Sequence, residues 1–448
     1  MIAIAGGGIS GLSTAYYLSQ ASRPCTLFEA QPRLGGFLQT ERIEGCVVET
    51  GADSFLASKP WAADLIRELG LGDQLIGSND SERKTYILKR GKLVRMPEGL
   101  QLIAPTRIGP ILRTPLFSIP AKLRMAGEYF RWPVDRPDRS VSEFVADHFG
   151  PEAVEYLAEP LLAGVYGGDC AELSARSVLP KFVEFEKKYG SVTTGVLLER
   201  KRVDQNAPIF QTLKGGLGDL IAALTKAIKG KVAIVNRRVE AIERQSGGYR
   251  VRAGCDWFAA ERVVLACGAR RSGEIIVSMD ASIAALLRSI PYSSSNVIAL
   301  GFRRSEVRHP LNGFGFLVPK RERRTIMACT WVGTKFAHRV PPDFALLRCF
   351  VGGRSAASDD ALIAAVLEDL ARIMGIDAAP VFSRVFRWPD SMPQYTVGHG
   401  QRIAELESRL ESWQGLHLTG NAYHGIGLPD CVREAKRVSE RIVRGCTS

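Results

Sequence analysis

At 448 residues and 46% hydrophobic content, the chain is long enough for about three domains of ~150 residues and apolar enough to fill their cores, so the protein is globular. Its formal charge of +12 is uneven: eleven Lys or Arg and only two acids, Glu98 and Glu128, stand between Arg83 and Trp132, while the remainder is nearly balanced. Nine scattered cysteines, odd in number and never spaced C-x-x-C, exclude a disulfide framework and a zinc site and read as reduced thiols, mostly core filler.

Met1 to Ala5 reads as a buried strand running directly into glycines, which leaves no room for a secretory leader, so a cytoplasmic location is expected. No stretch approaches the ~18 to 20 apolar residues of a spanning helix, and only peripheral membrane attachment stays open. "IAIAGGGISGLSTAYYLSQ" then sets Gly6, Gly8 and Gly11 in the G-x-G-x-x-G spacing, after a strand and before a helix. Gly6 permits the tight turn, Gly8 admits a pyrophosphate to the backbone, and Gly11 lets helix and strand pack closely. The helix N-terminus presents unpaired amides to the phosphates. "CTLFEA" supplies a second strand ending in Glu29, whose carboxylate suits ribose hydroxyls and repels a 2′-phosphate. Together these features point to an ADP-ribose moiety, FAD or NAD, against the plainer reading of a turn that only packs a helix on a sheet. "RLGGFLQT" follows, with Arg33, Gly35 and Gly36 offering a cation and bare backbone for a further phosphate, or forming an ordinary turn.

"LIAPTRIGPILRTPLFSIPAKLRMAGEYFRW" alternates apolar clusters with single cations, as expected of a surface against anionic lipid, or of a solvated basic face. Nucleic acid is excluded as a partner, because no recognition module accompanies the charge. Further on, "FQTLKGGLGDLIAALTKAI" is a turn at Gly215 and Gly216 entering an amphipathic helix. "KVAIVNRRVEAIERQSGGYRVRAG" alternates like two strands around a Gly-Gly turn, and "ERVVLACGA" is a buried strand ending at Gly268. "GNAYHGIGLPDC" is a second glycine turn, feeding a helix expected from Asp430 to Val443. This layout implies one nucleotide domain assembled from three chain segments. Metal ligands are not clustered in the sequence, the histidines stand isolated, and His424 reads as structural rather than as a base.

Glu29, then Arg33-x-Gly35-Gly36, then Thr40 resembles the flavoprotein family of amine oxidases, phytoene desaturases and protoporphyrinogen oxidases. "LAEPLLAGVYGGDCAELSARSVLPKFVEFEKKYGSV" is similar to the protoporphyrinogen oxidase signature, and "GFGFLVP", "FVGG", "MPQYTVGH" and "LTGNAYHGIGLPDC" match the same family in order, so the resemblance spans essentially the whole chain. It implies an α/β fold: a Rossmann-like FAD-binding domain from residues 1–82, 212–272 and 404–448, an inserted mixed-sheet substrate domain from 83–97, 191–211 and 273–403, and an inserted helical, membrane-facing domain at 98–190. It implies FAD held without a covalent bond by Gly6, Gly7, Gly8, Ile9, Ser10, Gly11, Glu29, Arg33, Gly35, Gly36, Gly51, Ala52, Asp53, Ser54, Val239, Trp388, Gly420, Ile426, Gly427 and Leu428. Ile426, Gly427 and Leu428 match the positions at the pyrimidine end of the flavin ring.

The activity implied is six-electron oxidation of protoporphyrinogen IX in haem biosynthesis, with dioxygen as acceptor, hydrogen peroxide as by-product and the flavin itself as the catalytic group. Phe314, Leu317 and Phe350 match substrate-wall positions, and Gly164 and Val165 match a loop bordering the same cavity. Gln101 stands where mitochondrial members carry an Arg thought to bind a propionate; an amide does not replace a guanidinium, so either Arg95 or Arg107 substitutes or the substrate is held differently. Coproporphyrinogen III is therefore the main alternative substrate, with an amine oxidase and a non-catalytic flavin-binding module as lesser ones. Peripheral association with an anionic membrane is expected, and a homodimer or a partner enzyme of the haem pathway is compatible with the resemblance.

Overall fold

The computed structural model describes residues 1–200 and 208–445, which divide into two compact units. Of these residues the first comprises 1–78, 208–291 and 401–445; the second comprises 79–200 and 292–400.

At the centre of the first unit is a five-stranded parallel sheet in the spatial order Ala233–Val235, Cys25–Phe28, Ile2–Ala5, Arg262–Leu265, Leu416–Leu418. Neighbouring strands thus come from all three chain segments. Ile2–Ala5 and Cys25–Phe28 are buried at every position, the pattern of parallel strands covered on both faces, and their run of Ile, Ala, Leu and Phe supplies the surface to bury. Helix Ile9–Gln20 packs against helices Gly218–Ile228 and Leu428–Arg444. Leu12, Leu18, Leu220, Leu224, Val438 and Ile442 share one core with the sheet. The same unit also carries a three-stranded antiparallel sheet, Val239–Gln245, Gly248–Ala253 and Asp256–Ala260. The C-terminal helix begins at Leu428, two residues before the expected Asp430, because Pro429 sits in the first turn, where its missing N–H costs nothing.

The second unit carries a seven-stranded mixed sheet in the order Phe382–Pro393, Tyr292–Arg303, Phe344–Gly352, Ala328–Trp331, Gly315–Leu317, Thr85–Lys89, Lys92–Arg95. One face packs on helix Asp359–Met374 through Phe316, Cys329, Leu347, Cys349, Val366 and Leu370. Helices dominate from Ile108 to Arg200. Among them, Val141–Phe149 starts in a reciprocal cap, with the Ser140 side chain accepting the Glu143 amide while the Glu143 carboxylate accepts the Ser140 amide. Among the described residues no helix is long and apolar enough to cross a membrane. Eight cysteines are free thiols, six of them buried; Cys446 lies outside the described residues.

Candidate functional site

The glycines of the first turn divide by what surrounds them. A Cβ on Gly11 would lie 1.8 Å from the Gly6 carbonyl oxygen, and one on Gly6, at φ +113°, would lie 2.9 Å from the Ala266 carbonyl oxygen. Both are therefore fixed by packing. Gly8 is different, since the nearest atom to a Cβ there would be the Gly36 Cα at 4.0 Å. Its backbone is bare on that side. Gly8 also precedes helix Ile9–Gln20, and no side chain caps the amides of that helix, whose first turn holds Ile9 and Ser10. Gly35 donates its amide to the Gly7 carbonyl at 2.8 Å, and a Cβ on Gly36, at φ +57°, would approach the Gly8 Cα to 3.2 Å. Two glycine turns thus meet backbone to backbone, and the Arg33 guanidinium donates to the Gly36 carbonyl at 2.9 Å.

Glu29 stands just past its strand. One carboxylate oxygen accepts the Gly7 amide at 2.6 Å and the other accepts the Gln31 amide at 2.7 Å. A carboxylate has about four acceptor directions, so two remain for ribose hydroxyls. Beyond it, the buried Glu49 accepts from the Thr40 hydroxyl and the Leu217 amide, both at 2.7 Å, which ties this segment to the turn at Gly215–Gly218. At the next stretch, Gly51 is held against the Phe37 carbonyl, Ala52 follows it, the Asp53 carbonyl accepts from the Thr212 hydroxyl at 2.9 Å, and Ser54 donates to the Asp53 carboxylate at 2.7 Å. The Val239 carbonyl accepts from Arg271 at 2.9 Å.

The C-terminal turn joins the same unit through helix packing: Leu428–Arg444 lies against Ile9–Gln20, and the Ser439 hydroxyl approaches the Thr14 carbonyl at 3.4 Å. Gly420 and Gly425 have φ of +140° and +131°. Ile426 is half-buried and leads to Gly427, the N-cap of the helix, again with no side-chain cap. Asp430 accepts from Lys59 at 2.6 and 2.9 Å, a pair that sequence reasoning missed. The signals were an acid in the first helical turn and a Lys before Pro60, but nothing local links residues so far apart. Two uncapped helix N-termini, a ribose-type carboxylate, a cation over the second glycine turn and the open flank of Gly8 together fit a dinucleotide with an anionic pyrophosphate.

In the second unit, Leu317, Ala328 and Phe350 are cross-strand neighbours in one row. Leu317 and Phe350 are half-buried, while Phe316, Cys329 and Cys349 beside them are buried in the core on the other face. Gly164 lies against this row, since a Cβ on it would meet a Leu317 methyl at 3.6 Å. Gly164 and Val165 belong to helix Glu159–Tyr166, and Phe314 leads into the Leu317 strand with its carbonyl accepting the Trp331 amide at 2.9 Å. Trp388 pairs with Ser295 in the same sheet. Two positions before Phe350, and so on its face of the strand, the buried Arg348 places its guanidinium 5.2 Å from the Phe350 ring. Its signal in the sequence was a lone charge inside "ALLRCFVGG". Gln101 is exposed on a short hairpin, Arg95 is paired with Glu98 at 2.6 Å, and the Arg107 side chain lies against Gly99.

The expectation of isolated histidines is corrected by the structure. The buried His148 ring lies 3.0 Å from Glu128 and 3.2 Å from Glu186, and His424 lies 3.0 Å from Glu407. Asp147, His148 and Glu186 form the one triplet of metal-type ligands among the described residues. Arg131 and Arg136 reach Asp147 at 2.8 Å, and Arg139 reaches Glu186 at 2.7 Å, so guanidiniums already take these oxygens in a structural ion network. Burial pushes the Asp147 carboxyl up, but hydrogen bonding and charge from Arg131, with Arg136, outweigh it and hold the group below the usual carboxylate range.

Comparison with known proteins agrees with this geometry. Residues 9–443 match the flavin-containing amine oxidoreductase family. The chain is 34% identical to the coproporphyrinogen III oxidase of Bacillus subtilis (strain 168), over 97% of this chain and 96% of that one. It is 24% identical to protoporphyrinogen oxidase 2, chloroplastic/mitochondrial, of Arabidopsis thaliana, over 99% and 93%. A crystal structure of a "Putative protoporphyrinogen oxidase" from Exiguobacterium sp. 255-15 superposes with a TM-score of 0.88 at 32% identity, covering 99% of this chain and 98% of that one. The chain belongs to the flavin-containing amine oxidoreductase family, as an FAD-dependent oxidoreductase of the porphyrinogen-oxidase-like kind.

Proposed function

We propose that this protein oxidises a porphyrinogen to the corresponding porphyrin in haem biosynthesis, consuming three dioxygen and releasing three hydrogen peroxide per macrocycle. The observation that carries the reading is the end-to-end similarity to porphyrinogen oxidases on a chain whose two uncapped, glycine-led helix N-termini suit one dinucleotide. FAD, when bound, supplies the two-electron acceptor used in three successive rounds. The chain's own residues do the holding. Gly8 and Gly36 admit the pyrophosphate, the amides of helix Ile9–Gln20 bind it, and Glu29 fixes the ribose. At the other end, the amides of Ile426, Gly427 and Leu428 would hold the pyrimidine end of a bound flavin and would favour negative charge there, helped by about 0.3–1 kcal/mol from the helix dipole.

Leu317, Phe350 and the helix edge at Gly164 form an apolar wall for a flexible macrocycle, and Arg348 beside Phe350 is its cationic anchor for a propionate. Coproporphyrinogen III is the favoured substrate, on the strength of the Bacillus subtilis relative and of Gln101 in place of the mitochondrial-type Arg. Protoporphyrinogen IX, the first expectation from sequence, is the second reading, supported by the Arabidopsis relative. Side-by-side kcat/KM values decide between them: a preference for protoporphyrinogen IX overturns the first assignment.

Peripheral binding to an anionic membrane at its cytoplasmic face belongs to the same proposal. Helices Ile108–Arg113 and Ile119–Gly127 and the turn after them expose Ile119, Leu123, Phe130 and Trp132 at 69 to 86%, with Arg107, Arg113 and Arg124 exposed among them.

A further inference from the structure

Asp430 is the pivot of the C-terminal glycine turn. It is the third residue of helix Leu428–Arg444 and is buried. Its carboxylate fills the room that a side chain on Gly425 would need: a Cβ there would lie 2.5 Å from the Asp430 Cγ, and one on Gly427 would lie 3.1 Å from Oδ2. The turn is therefore wrapped around a buried negative charge, which is costly unless it is compensated. Lys59 supplies the compensation, its Nζ lying 2.6 Å from Oδ2 and 2.9 Å from Oδ1, while Arg433 stands farther off at 3.5 Å. Lys59 closes the segment that contains Gly51 to Ser54 and leads through Pro60 into helix Trp61–Glu68, which packs on Leu428–Arg444. One ion pair thus joins two separate parts of the cofactor cradle.

We propose that Lys59 is a positioning residue that tunes the flavin: it holds the Gly51–Ser54 segment to the turn and keeps that turn electrically neutral. The amides at Ile426 to Leu428 and the positive helix end are then free to stabilise the negative charge that a reduced flavin carries. Without Lys59, the carboxylate under the turn opposes that charge, and reduction becomes less favourable. This inference rests on the proposed placement of the ring at Ile426 to Leu428.

The test is the reduction potential of protein-bound FAD, read against a reference dye during slow anaerobic co-reduction, in the wild type, K59R, K59M and K59M/D430N. K59M is expected to shift the dye-to-flavin equilibrium about tenfold toward oxidised flavin, about 30 mV for a two-electron couple. K59R stays within about threefold of the wild type, and K59M/D430N recovers most of the loss because the buried charge is gone. An unchanged potential in K59M overturns the proposal, as does a double variant shifted as far as the single one, which would make the pair a matter of shape. Should K59M release its FAD, the double variant decides: retention with a near wild-type potential supports the charge role, and release overturns it. A wild-type protein that holds FAD but is not reduced by any porphyrinogen contradicts the functional reading instead, independently of Lys59.

Discussion

The Glu29 carboxylate accepts the Gly7 amide at 2.6 Å, so the residue assigned to the ribose also fixes the first glycine turn. Replacing it by Ala removes two charge-assisted hydrogen bonds inside the protein, from the Gly7 and Gln31 amides, and the acceptors offered to the ribose. Each such bond is worth about 1.5–3 kcal/mol, or roughly a 10- to 100-fold change in affinity. Glu29→Ala is expected to lower the flavin-to-protein ratio after purification and to weaken FAD reconstitution at least tenfold. An unchanged dissociation constant contradicts the assigned role.

Gly8 and Gly11 separate cofactor binding from folding. Gly8 has φ −71°, and a Cβ there would meet only the Gly36 Cα at 4.0 Å, an ordinary contact, so Gly8→Ala should leave the melting temperature of the apoprotein nearly unchanged while weakening FAD retention. A Cβ on Gly11 would sit 1.8 Å from a carbonyl oxygen, so Gly11→Val should destabilise the fold by about 1–3 kcal/mol or more through overpacking. Thermal melts and flavin absorbance on the two variants check both statements.

What was legible in the sequence was local. The strand, turn and helix around Gly6 to Gly11, the carboxylate at Glu29 and the C-terminal turn each declare themselves within about twenty residues, because glycine spacing and apolar periodicity are short-range signals. The facing of Gly8 by Gly36 and the Lys59–Asp430 pair depend on chain crossings, which no local pattern encodes. His148 looked isolated for the same reason: its carboxylate partners lie 20 and 38 residues away on other helical segments. Phe350 was marked only by the resemblance, and the register with Ala328 and Leu317 is what makes it part of a row.

Arg348→Gln removes a cation from the Phe350 face of the sheet while keeping a polar side chain. If Arg348 holds a propionate equally in ground and transition states, KM for coproporphyrinogen III rises about tenfold and kcat stays within about threefold. Arg348→Lys should fall between, since an ammonium lacks the bidentate fork. An unchanged KM in a variant with a wild-type melting temperature contradicts the assignment.

Burial, with Arg262 and Arg441 nearby, pushes the His417 imidazole down to about 4. In the unfolded chain the same group protonates near 6.5, so unfolding takes up a proton between the two values. The stability tied to the neutral ring is fully present above about pH 6.5 and is lost as pH falls toward 4, by at most about 1.4 kcal/mol per pH unit in that window. Denaturant melts at several pH values should show a shallower acid loss for His417→Leu than for the wild type. Parallel curves contradict the shift.

The exposed apolar and basic surface predicts co-sedimentation with vesicles containing anionic lipid at low salt, weakened by raised ionic strength and by Ile119→Ser combined with Trp132→Ser. Failure of the wild type to bind such vesicles contradicts a membrane role for this surface.

The most direct measurement is anaerobic mixing of the FAD-loaded protein with coproporphyrinogen III, followed by admission of air, with flavin absorbance and porphyrin fluorescence recorded together. Porphyrinogen oxidation predicts bleaching of the bound flavin before air is admitted, then recovery of its absorbance with sustained growth of porphyrin fluorescence and hydrogen peroxide. A flavin that stays oxidised with both coproporphyrinogen III and protoporphyrinogen IX would contradict it.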